Sequence, residues 1–251
     1  MTYSIIARCP HTGAFGGAVG TSSLAVGNRC LHIAHGVGAV LSQHRTDPRL
    51  GEQGLALLAA GKSAGDVMAS LTQAPDIGWR QLAVLDASGG TAVHHGQRLY
   101  SIATEATGPN CVAIGNILAN DRITDAMIEA FMASPDARLE QRLVQALEGG
   151  RNTGGEILEP LHSAALRVSG SDGMDRCDLR IDRADEAVTA LKDLLAAYGD
   201  QEDLLRNVAF QPETVPVARS MFDASVKRIA ELGLEDRFPT ARRRADWTLR
   251  G

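Results

Sequence analysis

Aromatic side chains are scarce in this chain, at 4% of 251 residues. A core of stacked rings is excluded, so Ala, Leu, Val and Ile must supply it. A hydrophobic share of 44% is enough for one large domain or two small ones. Cysteine is sparse and scattered: Cys9, Cys30, Cys111 and Cys177 form no Cys-x-x-Cys. That spacing supports neither a disulfide framework nor a structural zinc site. No glycine-rich phosphate loop with its lysine is present, so we expect no nucleotide, no other cofactor and no obligatory metal. A charged-then-apolar leader and an apolar run of transmembrane length are both missing. The expectation is a soluble cytoplasmic protein that meets no membrane. A basic excess is missing too: the net charge is -5, which argues against a nucleic-acid partner. The one basic cluster, Arg242-Arg243-Arg244, reads most simply as a solvated tail.

What the chain does have begins at its second residue. Met1 is followed by Thr2 and then by a strand-like run, Tyr3-Ser4-Ile5-Ile6-Ala7. A threonine exposed by loss of Met1 carries a hydroxyl and a free α-amine on one residue, which is a nucleophile with its own base. An α-amine titrates near ~8, so a useful fraction is unprotonated at neutral pH. Many chains begin Met-Thr with no chemistry attached, and a retained Met1 would turn that amine into a peptide nitrogen.

Downstream, strands come in hairpins and helices come in pairs. Tyr3–Arg8 turns at Cys9-Pro10-His11-Thr12-Gly13 and returns as Phe15–Gly20. Gly36-Val37-Gly38-Ala39-Val40-Leu41, within 33–43, reads as a buried strand. Arg49–Ala60 reads as a helix closed by Gly61. Ser63 with Asp66 makes a capping box for a second helix. Gln81–Asp86 and Thr91–His95 form another hairpin, and Cys111–Ile114 is a short strand ending at Gly115-Asn116. Ile123–Met132 has helical spacing. Ser134-Pro135 reads as the cap of a helix running to Gly149. Strands over 163–168 and 177–181 precede helices over 184–198 and 217–232, with 201–203 and 211–213 as connector. This grouping predicts an α+β fold, two antiparallel sheets between helix pairs. Residues 1–200 would be one domain and 201–251 a helical extension packed on it. Sheet edges and Ala/Leu-rich helices leave room for a homo-oligomer.

Several segments together resemble a known family. Thr2-Tyr3-Ser4-Ile5-Ile6-Ala7-Arg8 with Thr12-Gly13, Leu24-Ala25-Val26-Gly27, Gly36–Val40 with Ser42-Gln43, and Gly51 through Gly54-Leu55 carry it. So do Arg80-Gln81, Asp86, Gly115-Asn116-Ile117-Leu118 and Ser163-Ala164-Ala165-Leu166. In order and spacing these are similar to domain-of-unknown-function family 1028, over roughly residues 2–182. The family is placed by fold with the N-terminal nucleophile hydrolases. The resemblance implies a four-layer αββα sandwich and amide-bond hydrolysis. The chain departs from the family pattern at Asn28-Arg29-Cys30-Leu31-His32, at His162, and over Glu156-Ile157-Leu158-Glu159-Pro160.

On that reading Thr2 is the nucleophile for a small-molecule or short-peptide amide. Asn116 and the backbone around Ser42 are candidate oxyanion donors. Ser22 and Ser23 would line the cleft, with Gln43 and His44 beside the substrate. Arg80 could grip a substrate carboxylate. Each also has a plainer role: Asn116 as a turn cap, the serines as strand ends, Arg80 as the partner of Asp86 or of a neighbour. A Ser42/His44/Asp47 triad is possible in composition only. His94 and His95 are adjacent in a strand and point to opposite faces, so they do not share a metal. The competing reading is a non-catalytic binding or assembly protein on the same scaffold with Met1 retained.

Overall fold

Period-two alternation sorts the strand residues into three layers of core. The computed structural model describes residues 2–155, 157, 160–238 and 249–250. A six-stranded antiparallel sheet contains β1 (Thr2–Arg8), β2 (Phe15–Thr21), β7 (Ala103–Gly108), β8 (Cys111–Asn116), β9 (Ser163–Val168) and β10 (Cys177–Ile181), in the order β10-β9-β2-β1-β8-β7. A second antiparallel sheet, in sequence order, holds β3 (Leu31–Ala34), β4 (Gly38–Gln43), β5 (Gln81–Asp86) and β6 (Thr91–His95). Alternate residues Ile6, Val19, Leu41, Leu85, Val112 and Ile114 fill the space between the sheets. Their neighbours Val40, Leu82 and Val84 point the other way. They pack on Leu50 and Leu58 of α1 (Pro48–Ala59) and on Val67, Met68 and Leu71 of α2 (Ala64–Leu71). The outer face of the larger sheet packs on α3 (Ile123–Met132) and α4 (Leu139–Asn152). The result is helices, sheet, sheet, helices.

Local chemistry sets the element ends. Asp47 caps α1 by accepting from the Arg49 amide at 3.1 Å, with Pro48 at the first helical position. Ser63 Oγ accepts from the Asp66 amide and donates to the Asp66 carboxylate at 2.7 Å, so Ser63 caps α2 as expected, while Asp66 holds the cap's hydroxyl and not its amide. Gly16 lets α4 lie close on β2: a Cβ there would sit 2.7 Å from Leu143 Cδ1.

Several expected elements are redrawn. Ser134-Pro135 forms a turn ahead of α4, which begins only at Leu139 behind Arg138 and has no side-chain cap. Two strands of the sandwich sheets went unread. β3 has four residues in a buried–half-buried alternation too short to signal. β7, Ala-Thr-Glu-Ala-Thr-Gly, is a half-exposed edge strand with little apolar content.

The described chain divides into two compact units, the first ending at Ala196 and the second starting at Ala197. α5 (Ala187–Gly199) crosses that point and buries Ala187, Val188 and Leu191. In the second unit, of the two stretches read as connector, 211–213 runs into a 3-10 turn over Pro212–Thr214, and 201–203 supplies the start of α6 (Glu202–Phe210), with the acidic Glu202 and Asp203 in its first turn. There they favour the positive end of the helix dipole instead of marking a loop. The expected helix over 217–232 is a two-residue strand, β11 (Val217–Ala218), followed by α7 (Arg219–Glu231). β11 pairs in parallel with β12 (Leu249–Arg250). Arg242–Arg244 lie outside the described residues, as does Met1. Among the described residues no helix is long and apolar enough to cross a membrane.

Candidate active site

The inter-sheet layer changes character along β1. Thr2, Ser4 and Ile6 share the face that looks at the smaller sheet, so one end of the layer is polar and the other apolar. Ser4 Oγ donates to Gln43 Oε1 at 2.6 Å, and Gln43 Nε2 donates to Gln81 Oε1 at 2.7 Å. Asn116 Nδ2 donates to that same oxygen at 2.8 Å, and Gln81 Nε2 donates to the Gly115 carbonyl at 2.8 Å. Beyond Gln81, His95 Nδ1 lies 3.4 Å away, and His95 Nε2 is 2.8 Å from Glu105 Oε2. Ser4, Gln43 and Gln81 are fully buried and Asn116 is nearly so. Buried amides in such a chain hold one another in fixed orientation, because a broken link leaves an unsatisfied group.

Thr2 ends this layer. It faces Asn116 directly across the β1–β8 pair. Its Oγ1 donates to Thr21 Oγ1 at 3.2 Å, and the residue is 9% exposed. Thr2 and Asn116 open on a cleft of about 340 Å³ that Ser23, Arg29, His44, Arg45, Thr46, Tyr100 and Ile117 complete. Among the described residues its lining contains two arginines and no carboxylate.

Three of those lining residues, His44, Arg45 and Ile117, have positive φ, at 53°, 48° and 57°. Left-handed backbone in a β-branched residue such as Ile117 is an outlier costing on the order of 1–3 kcal/mol. Here the Ile117 amide is held by Ser101 Oγ at 2.9 Å and the Leu118 amide by the Ile102 carbonyl at 3.1 Å. His44 is also fixed. Its Nδ1 lies 2.7 Å from the Trp79 carbonyl, an acceptor, so Nδ1 carries a proton there, which in the neutral tautomer leaves Nε2 as an acceptor. Tyr100 meets the His44 ring edge-on at 5.7 Å. The Trp79 indole is flanked by the guanidinium groups of Arg45 and Arg98, at 4.6 and 5.0 Å.

The expected site residues therefore separate. Thr2, Asn116, Ser23 and His44 come together. Gln43 stands behind them in the amide chain. Ser22 is half-buried beside the cleft but does not line it. Ser42 is fully buried: its amide donates to the Cys30 carbonyl at 3.2 Å and its hydroxyl to the Asp47 carbonyl at 2.8 Å. Both of its donors are therefore engaged. The triad composition dissolves on the same geometry, since the Asp47 carboxylate holds Arg49 at 2.7 Å. Arg80 does not line the cleft, and its buried Nε has no hydrogen-bond partner among the described residues. It does not pair with Asp86 either. Asp86 accepts instead from the Ala64, Ser88 and Gly90 amides, each at 2.9 Å, and from Ser88 Oγ at 2.6 Å. Burial opposes its ionisation, but those hydrogen bonds prevail and hold the carboxyl below its ordinary range.

Arg29, Arg45, Thr46, Tyr100 and Ile117 were not foreseen. Their membership depends on loop geometry that no spacing announces. Among the described residues no three His, Cys, Asp or Glu side chains stand together as a metal site would need.

Fold and cleft thus define an α+β sandwich with a polar pocket at the head of a central strand. Residues 2–191 match the family of unknown function DUF1028, and the chain belongs to that family. It is similar to the crystal structure of protein SPO2555 from Silicibacter pomeroyi, of the same family. They share 35% identity over 80% of this chain and 85% of that one, with a TM-score of 0.73. A fainter likeness is to Anbu, the ancestral beta-subunit, from Yersinia bercovieri. It has 11% identity over 79% of this chain and 97% of that one, with a TM-score of 0.37. No curated protein matches the chain.

Proposed function

We propose that this protein is an amidohydrolase of the N-terminal nucleophile type, cleaving a small amide with Thr2 once Met1 has been removed. The observation that carries the reading is the pairing of Thr2 with Asn116 on neighbouring central strands, both opening on one cleft. Thr2 Oγ attacks the amide carbonyl while the Thr2 α-amine takes the hydroxyl proton. The side-chain amide of Asn116 has two N–H donors, one of them held by Gln81. The other is suited to the oxyanion, and one such donor is worth about 3–4 kcal/mol of barrier. Collapse of the tetrahedral intermediate expels the amine, which leaves with the proton. Water then hydrolyses the Thr2 ester. Arg29 and Arg45, with no carboxylate among the described lining residues, favour a substrate that bears a carboxylate, the role first expected of Arg80.

The test is turnover of carboxylate-bearing amides by the processed protein and by Thr2→Ala. We expect product from the first and none from the second, at nearly equal thermal stability. Equal turnover by both would reject Thr2 and turn attention to His44 Nε2 as base. The Thr2–Thr21 hydrogen bond supports a second reading, in which the hydroxyl only helps hold a ligand. That reading predicts ligand-dependent stabilisation without product.

A further inference from the structure

Six residue steps along β1 from Thr2, about 20 Å away by strand rise, the larger sheet ends at a second and bigger cavity, of about 620 Å³. Cys9, Arg8, Arg138, Glu140, Arg142 and Arg176 are among its lining residues. Glu140 is neutralised within the cluster, contacting Arg138 and lying 3.6 Å from Arg176. Asp136 is an exposed carboxylate at the rim.

Arg142 is different. It is 8% exposed, yet all of its partners are uncharged. Nε donates to the Phe131 carbonyl at 3.0 Å, Nη2 lies 3.8 Å from the Met132 sulfur, and the guanidinium sits 4.0 Å over the Phe131 ring. Among the described residues no carboxylate stands within ion-pair distance of it. A buried cation without a counter-charge is costly, and an anion entering the cavity would relieve that cost.

Cys9 stands in the same cavity on the β1–β2 turn, which the Cys9 amide closes on the Ala14 carbonyl at 2.8 Å. It is half-buried, whereas Cys30, Cys111 and Cys177 are buried. Burial opposes its ionisation, but hydrogen bonds from Thr12 and His11 and the field of Arg142 prevail and draw the thiol below its usual range.

We propose that this cavity is a second ligand site, for a small organic anion held at Arg142, with Cys9 beside it as a nucleophile toward electrophiles that carry such an anion. The thiolate sulfur forms a bond to the electrophilic carbon, and the leaving group departs with its electron pair. The site shares no residue with the Thr2 cleft and requires no hydrolytic activity.

Iodoacetate and iodoacetamide distinguish this arrangement from an ordinary thiol, since they differ in charge and each releases iodide on forming the C–S bond. The full-length protein is treated with each at neutral pH, and the rate at each cysteine is followed by peptide mass spectrometry. Cys9 should react first. Its iodoacetate-to-iodoacetamide rate ratio should exceed that of glutathione by at least about tenfold, equivalent to about 1.4 kcal/mol. Millimolar succinate or inorganic phosphate should slow the iodoacetate reaction. Protection by succinate alone assigns a carboxylate ligand, and protection by phosphate alone a phosphate ligand. Arg142→Met should return the ratio to that of glutathione. Should that variant fail to fold, the wild-type ratio and the competition still decide. A glutathione-like ratio in the wild type, or protection by neither anion, overturns the proposal.

Discussion

Replacing Gln81 with leucine should cost this protein about 4 kcal/mol, and the figure follows from the amide chain behind Thr2. Gln81 is fully buried and makes three short hydrogen bonds, accepting from Gln43 and Asn116 and donating to the Gly115 carbonyl. Leucine keeps roughly the same volume and removes every polar atom. The Gln43 amide, the Asn116 amide and the Gly115 carbonyl would each lose a partner inside the inter-sheet layer. An orphaned buried group costs about 1–3 kcal/mol, so three cost about 6. The added apolar side chain returns about 2 kcal/mol. A net loss of about 4 kcal/mol would lower Tm by roughly 8–16 °C in a domain of this size. Urea denaturation at constant m-value gives the free energy directly. In the double variant Gln43→Leu/Gln81→Leu the cost should be less than the sum of the two single costs, because each single change already strands the other's partner. A loss below about 1 kcal/mol in Gln81→Leu, or strict additivity in the double variant, would refute the claim that these amides act as one network.

Three further outcomes are expected. Asp86→Asn should destabilise the protein most above the ordinary carboxylate range near ~4. The gap from wild type should shrink as pH falls through the depressed native value, because that stability belongs to the ionised form; paired urea titrations across pH check this. Burial pushes the Cys30 and Cys111 thiols up to about 11, so at pH near ~8 both should resist alkylation in native protein and react fully once it is unfolded, as mass spectrometry would show. Gly51→Ala should destabilise by roughly 1–3 kcal/mol despite its helical setting, since the new methyl would run into the His32 ring where α1 lies on β3; thermal melts would reveal it, and no change would mean the ring swings aside.

The layers of this fold were legible where burial and pattern agree. The hairpin from Tyr3 to Gly20, the Ser63 cap and the helix at Ile123 all rest on local rules that packing reinforces. What escaped had weak local signals. β7 places polar residues on a half-exposed edge, and α6 opens with acids that also suit a loop. The site was legible only in part. Thr2 and Asn116 could be read because each ends a strand and carries usable chemistry. Gln81 gave no such cue and Gln43 was expected beside the substrate, since a glutamine at a strand end normally meets solvent. Only the facing of the two sheets turns them inward. Ser42 misled for the complementary reason: its position beside Gln43 suggested a cleft, but its alternation turns its hydroxyl onto the backbone of Asp47. Arg45 and Ile117 depend on left-handed backbone held by distant partners, and sequence spacing does not encode that.

Catalysis by Thr2 depends on the state of the N-terminus. The most direct measurement is the intact mass of the protein purified from its native host, with the first residue identified by N-terminal peptide fragmentation. The proposal predicts a chain that begins at Thr2 with an unmodified α-amine. Met1 retained in every molecule would contradict it, because Thr2 would then have a hydroxyl and no base of its own.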